Sequence, residues 1–336
     1  MIQVFDGHTA DEIWRLAANG LIYSQAGRQQ GSRLGPMREY LHCSLHLSDP
    51  RQRWVLSRRP AMNPAFAIAE LIWILLGRND AGFVNYWNPA LPHFAGHTDT
   101  YHGAYGYRLR NHFAIDQLER AYQALTANPD SRQVVLQIWD TQKDLPNPNG
   151  SSRDADIPCN IVAMPKIRDG KLEWLQVMRS NDLFLGTPHN FIQFTSLQEI
   201  IAGWLGVDLG SFVLVSDSLH FYEHDVDKLS IAEDVPETIN RDCLNLPKAE
   251  FDRTLPVIGA AMNEFRADNL SRARFVELID RTELPRAWKN LLTVVAADVA
   301  RRRAWSEEME LASSRCSNAM LVTAWNAWEQ RCRFVP

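Results

Sequence analysis

An Asp-Gly pair, Asp169-Gly170, joins two β-type runs, CNIVAMPKI and KLEWLQVM, and this pair constrains the chain more than any other feature. A two-residue turn of this kind matches the right-handed twist of paired strands, so the runs fold back on each other as a hairpin. With Asp169 and Gly170 at the turn, Ile167 faces Leu172, Pro165 faces Trp174, and Cys159 faces Ser180. The hairpin therefore carries Cys159 to the segment MRSND. Perfect pleating puts Arg179 on the opposite face from Cys159, so bringing the guanidinium beside the thiol requires a bulge or a bent strand end. The sequence predicts such an irregularity. A nearby arginine raises the thiolate fraction, and the thiolate is the reactive form. Taken alone, a cysteine in an apolar run is most often a core residue.

The rest of the chain supplies a core for that hairpin. Before residue 245, helical runs such as NPAFAIAELIWILLG and NFIQFTSLQEIIAGWLG mix with β-rich runs such as RQVVLQIW and GSFVLVSD, an α+β layout. After it, Trp288, Leu292, Val295 and Val299 recur at helical spacing, which predicts a core-facing stripe. The division expected is 1–245 for an α+β unit, a mixed sheet packed with helices, and 246–336 for a helical C-terminal extension. The Pro- and Asn-rich stretch DLPNPNGSSRDADIP reads as a surface loop leading to Cys159.

A formal charge of -5 over 336 residues gives no basic field of the kind that nucleic-acid backbones require. The N-terminal residues lack the pattern of a secretory signal, and no apolar run is long enough to span a membrane. A cytoplasmic protein with neither nucleic-acid nor membrane partners is expected. Five scattered cysteines without C-x-x-C spacing argue against a disulfide framework and a zinc site.

The order and spacing of PCN, DGK, RSND, LGTPHN and DSLHFY resemble the thymidylate synthase and pyrimidine nucleotide hydroxymethylase superfamily, over roughly residues 30 to 225. The resemblance implies the thymidylate synthase-like fold, with Cys159 as the nucleophile that adds to pyrimidine C6. It also implies a phosphate site of Arg33, Arg179 and Ser180. Arg132, in NPDSRQ, corresponds to the arginine that reaches the neighbouring subunit's phosphate site, so a homodimer with shared active sites is implied. Asn190 would read the pyrimidine edge, His220 and Tyr222 the sugar hydroxyl, and Asp182 the pterin ring of a reduced folate. Glu70 would organise water and proton transfers, and Tyr105 would help remove the C5 proton. The implied reaction takes a one-carbon unit from 5,10-methylenetetrahydrofolate, a co-substrate, to C5 of a pyrimidine nucleoside monophosphate. The first expectation is dUMP giving dTMP, and the alternative is 5-hydroxymethylation of (d)UMP or (d)CMP. The residue types suit the chemistry, because C5 becomes a carbon nucleophile only after a soft thiolate adds at C6.

Four positions depart from the family pattern. Gln133 stands where a second arginine is usual, Asn160 replaces the histidine after the cysteine, and His189 replaces the phenylalanine of Pro-Phe-Asn. The chain also continues into tryptophan-rich helices where synthases end in a short apolar tail. These departures keep two other classes in view: a nucleotide-binding regulatory protein without turnover, and a cysteine hydrolase using Cys159 and His220. Taken singly, Glu70 reads first as a paired structural carboxylate and His220 as a core histidine, and it is their joint occurrence in family order that favours the functional reading.

Overall fold

Asp169 and Gly170 both take left-handed backbone angles, φ 50° and 73°, and close the expected hairpin. The structure is a computed structural model describing residues 2–23, 27–32, 34–228, 230–281 and 283–334. The chain begins with β1 (Gln3–Gly7), α1 (Ala10–Tyr23), β2 (Arg28–Ser32) and β3 (Gly35–Leu47). After the short β4 (Arg58–Arg59) come α2 (Pro64–Leu75), α3 (Ala81–Trp87), α4 (Leu91–Ala95), α5 (Tyr105–Tyr107) and α6 (Gln117–Ala127). Then β5 (Leu136–Gln137) and α7 (Thr141–Asp144) lead to the hairpin strands β6 (Asn160–Arg168) and β7 (Lys171–Met178). They are followed by β8 (Asn181–Asp182), α8 (Thr187–Leu205), β9 (Asp208–Tyr222) and β10 (Ser230–Ile231). The C-terminal helices are α9 (Lys248–Arg266), α10 (Arg272–Ile279), α11 (Arg286–Arg302), α12 (Ser306–Arg315) and α13 (Ala319–Phe334).

The mixed sheet runs β1-β3-β9-β7-β6-β5, with β2 beside β3 and β8 beside β9. Side chains alternate across it. Trp174, Gln176 and Met178 of β7 and Phe212, Leu214 and Ser216 of β9 are buried under α8, whereas Leu175, Val177, Val213 and Val215 on the other face are only half-buried.

Two helices position the site. In α8, 16 of 19 residues are buried, which suits a helix enclosed by sheet and helices rather than one with a wet face. Its first turn, Thr187-Pro188-His189-Asn190, opens where proline is tolerated because the missing N–H would have no partner there. Helix α2 starts at Asn63, whose side chain accepts from the N–H groups of Ala65 and Phe66 at 2.9 and 3.2 Å. Every α2 residue except Glu70 is buried. The helix lies between α8 and α11, and α9 and α13 also pack on it. Trp288, Leu292, Val295 and Val299 are at most 1% exposed and belong to the same continuous core as the sheet. Among the described residues no helix is long and apolar enough to cross a membrane.

Candidate active site

Cys159 sits immediately before β6, and the hairpin register decides what faces it. Pairing holds as expected from Arg168 opposite Lys171 to Val162 opposite Val177, then slips so that Asn160 faces Met178. The predicted irregularity is therefore present, and it corrects the partner assignment. Cys159 faces Arg179 rather than Ser180, and the Arg179 N–H donates to the Cys159 carbonyl at 2.9 Å. A one-residue slip exchanges the faces of everything beyond it, which is how arginine and cysteine come to share a side.

The Arg179 guanidinium does two things. Its Nε and Nη2 donate to the carbonyls of Pro158 and Ile157, at 2.9 and 3.0 Å, and so hold the loop that carries the cysteine. The same Nη2 lies 3.9 Å from the Cys159 sulfur, where a cation favours an anionic sulfur. Its flat face lies 5.8 Å from the Trp139 ring. No disulfide joins the five cysteines. Burial pushes the Cys43 thiol up to about 12 and raises those of Cys316 and Cys332, as expected of thiols in apolar surroundings.

Tyr105 reaches this thiol because α5 runs against the backbone of α2. A Cβ on Gly106 would fall 2.2 Å from the Ile74 carbonyl oxygen, so only glycine permits the approach. Burial raises the Tyr105 hydroxyl far above the ordinary tyrosine range. Neighbouring Cys159 adds to that effect, a hydrogen bond with Asn160 opposes it, and Asp156 and Glu70 add further. The phenol is thus a neutral donor and acceptor at physiological pH. Glu70 faces His189 on the first turn of α8, with Oε2 and Nδ1 3.2 Å apart, and the imidazole packs 5.0 Å from the Phe66 ring. Both atoms are buried, and neither makes an aligned hydrogen bond among the described residues. Buried polar atoms in that condition call for a third partner.

Asn190 is 5% exposed and its amide is held on both sides. Its Oδ1 accepts from Asn160 Nδ2 at 3.4 Å, and its Nδ2 donates to Asn181 Oδ1 at 3.2 Å. Asn160 Oδ1 accepts in turn from Gln176 Nε2 at 2.9 Å. Each amide oxygen has two lone pairs and each amide nitrogen two hydrogens, so Asn190 keeps one donor and one acceptor for a ligand.

Asp182 lies beside His220 across the β8–β9 pair. Its Oδ1 accepts from the N–H groups of Phe184 and Leu185 at 2.7 and 2.9 Å, which leaves Oδ2 for a ring N–H. Burial raises its carboxyl above the usual carboxylate range, opposed by those N–H groups and His220. His220 is buried, and the Tyr222 ring meets it edge-on at 5.2 Å. Ser180 is half-buried next to Arg179.

One predicted phosphate residue stands apart from this cluster. Arg132 is exposed on the loop between α6 and β5, and Arg33 lies outside the described residues. Trp174, Gln176, Asn181 and Ser216, which support Asn190, escape a search for reactive groups. Their signal is polarity at positions that strand alternation assigns to the core, and it becomes readable only once the register is known.

A thiol beside a guanidinium, a held amide and a buried carboxylate gather around one mixed sheet in an α+β fold. The chain belongs to the thymidylate synthase family, whose family model matches residues 43–274. It is 34% identical over 252 residues to the deoxyuridylate hydroxymethyltransferase of Bacillus phage SP01, covering 70% of this chain and 64% of that protein. It is 36% identical over 188 residues to the deoxyuridylate hydroxymethyltransferase of Pseudomonas phage M6, covering 55% of this chain and 52% of that protein. A thymidylate synthase of Francisella philomiragia subsp. philomiragia is 26% identical over 240 residues, 68% of this chain and 84% of its own length. The chain thus spans less than two thirds of the length of the two phage relatives.

Proposed function

We propose that the protein transfers a one-carbon unit to C5 of deoxyuridylate and that the product carries a 5-hydroxymethyl group. The observation that carries the reading is Cys159 held 3.9 Å from Arg179 Nη2, on a hairpin whose β6 also carries Asn160, the partner of Asn190. The Cys159 sulfur bonds to C6, and the displaced electron pair moves toward C5 and O4. Asn190 Nδ2 donates to O4 and Oδ1 accepts from N3–H, which steadies the charge as it develops. 5,10-Methylenetetrahydrofolate supplies the one-carbon unit when bound, and the Oδ2 of Asp182 suits an N–H of its pterin ring. Tyr105, a neutral phenol supported by Asn160, helps proton removal by holding the water that takes the C5 proton. Loss of that proton breaks the bond between the carbon and the folate nitrogen, which releases tetrahydrofolate and leaves a methylene on C5. Water adds its oxygen to the methylene, and the electron pair returned to the ring restores the C5–C6 double bond as the sulfur leaves C6. Ser180 and Arg179 serve the phosphate, and His220 and Tyr222 serve the sugar.

Hydroxymethylation is placed ahead of methylation on two grounds. The two phage relatives carry that activity in their names. Glu70 and His189 also present two buried polar atoms that a water molecule would satisfy, and water added to a C5-methylene group gives the hydroxymethyl product with no change in the folate's oxidation state. Methylation is the second reading, supported by the bacterial synthase of which this chain covers 84%. Mass spectrometry of the products from dUMP and methylenetetrahydrofolate separates them. 5-Hydroxymethyl-dUMP with tetrahydrofolate supports the first reading, and dTMP with dihydrofolate overturns it.

The active unit is proposed to be a homodimer. Arg132 is exposed and so available to a second subunit's phosphate site, and the half-buried apolar face of β7 and β9 suits a second copy of the same sheet.

A further inference from the structure

Asn190 does not choose its own orientation. Gln176 Oε1 accepts from the Trp174 indole N–H at 3.1 Å, Gln176 Nε2 donates to Asn160 Oδ1, and Asn160 Nδ2 donates to Asn190 Oδ1. Asn190 Nδ2 then donates to Asn181 Oδ1, and Asn181 Nδ2 donates to the Ser216 hydroxyl at 3.0 Å. Trp174, Gln176, Asn160, Asn190, Asn181 and Ser216 are all at most 5% exposed, so water cannot substitute for a missing partner.

Every member between the two ends is a carboxamide, which satisfies its neighbours equally well when turned over. The end at Ser216 is a hydroxyl, which donates or accepts. The Thr187 hydroxyl, 2.9 Å from Asn181 Oδ1, adapts in the same way. The indole N–H only donates. It requires an oxygen of Gln176, which turns the Gln176 nitrogen toward Asn160 and sets the sense of each amide in turn.

We propose that Trp174, acting through Gln176 and Asn160, is the positioning residue that fixes the Asn190 amide in the orientation matching uracil rather than cytosine. The proposal rests on the reading of Asn190 as the residue facing the base. In the observed sense Asn190 offers an acceptor toward N3 and a donor toward position 4, which fits uracil N3–H and O4. Turned over, the same neutral side chain offers a donor toward N3 and an acceptor toward position 4, which fits cytosine N3 and its amino group. Base choice then belongs to the polarity of a buried chain as well as to the identity of the residue that touches the base.

The test measures kcat/KM for dUMP and dCMP, together with equilibrium binding of each nucleotide, in Trp174→Phe, Gln176→Glu and Asn190→Asp. Trp174→Phe keeps the bulk and removes the donor. Its dUMP-to-dCMP ratio is expected to fall on the order of tenfold, the factor implied by one misdirected buried hydrogen bond. The carboxylate introduced by Gln176→Glu accepts from both neighbours and so turns Asn160 and Asn190 over, and the ratio is expected to fall further. Loss of activity toward both nucleotides in proportion, with the ratio unchanged in both variants, would show a merely structural role and overturn the proposal. The binding ratio carries the same decision where turnover is too slow to measure. Asn190→Asp separates the two claims. A changed ratio there with an unchanged ratio in the relay variants rejects the relay alone, whereas no change in Asn190→Asp rejects the base-facing role of Asn190 and the relay with it.

Discussion

Cys159 and Arg179 show how a single residue's surroundings convert a small hydrophobic thiol into a candidate nucleophile. Replacing Arg179 with alanine removes the cation beside sulfur and the two hydrogen bonds that steady the loop. We expect kcat/KM to fall by about two orders of magnitude, as for loss of charge-assisted hydrogen bonds of a few kcal/mol. Alkylation of Cys159 by iodoacetamide should slow in parallel, and an unchanged alkylation rate would count against the electrostatic role. Asp182 gives a prediction with a definite sign in pH. Its native carboxyl binds its proton more tightly than in the unfolded chain, so its contribution to stability is fully present below the ordinary aspartate range and is lost as pH rises through the raised value. Asp182→Asn keeps an oxygen for the Phe184 and Leu185 N–H groups and has no charge to bury. Its Tm should therefore exceed wild type at neutral pH, with the advantage disappearing in acid, while folate-dependent activity falls. Melting curves across pH for the two proteins check this, and parallel curves would contradict it.

Among the elements, the contact of α5 with α2 is the one that a single methyl group would break. Gly106→Ala sets a carbon against the Ile74 backbone, and overpacking of this kind costs about 3 kcal/mol. Denaturant unfolding should show that loss, and the displaced Tyr105 should lower kcat more than KM rises. Wild-type stability in Gly106→Ala would mean that the close approach is not needed. The elements also show what was legible in advance. The hairpin, its Asp-Gly turn and the need for an irregularity near Cys159 follow from periodicity and turn chemistry. The position of the slip does not, because both registers bury similar side chains until the helix above selects one. Glu70 stood out as a carboxylate in an apolar helix, yet its partner His189 is close only because α2 and α8 pack together, a contact that no local pattern encodes. Gln176 looked like an ordinary strand residue and Asn160 stood out only as a departure from the family pattern, since nothing near them in sequence reveals that each is the other's partner.

At the scale of the whole molecule, the C-terminal helices are part of the core that holds the site. Phe251, Met262, Trp288 and Val295 are buried in the same cluster as Phe191 and Phe212, and each such side chain contributes about 1.5–3 kcal/mol on burial. Removal of residues 246–336 is accordingly expected to abolish soluble folded protein, as judged by circular dichroism and proteolysis. A folded 1–245 fragment would show instead that the extension is a separate unit. The proposed dimer makes its own prediction. Inactive Arg132→Ala mixed with inactive Cys159→Ala should regain part of the activity, because a hybrid dimer has one site with both residues intact, and no recovery despite proven subunit exchange would speak against shared sites. The central claim is that Cys159 opens C5 of deoxyuridylate to a folate-borne carbon, and release of tritium from 5-tritiated dUMP tests it most directly. Wild-type protein should release tritium only with methylenetetrahydrofolate present, and Cys159→Ala should release none; undiminished release by Cys159→Ala would contradict the account.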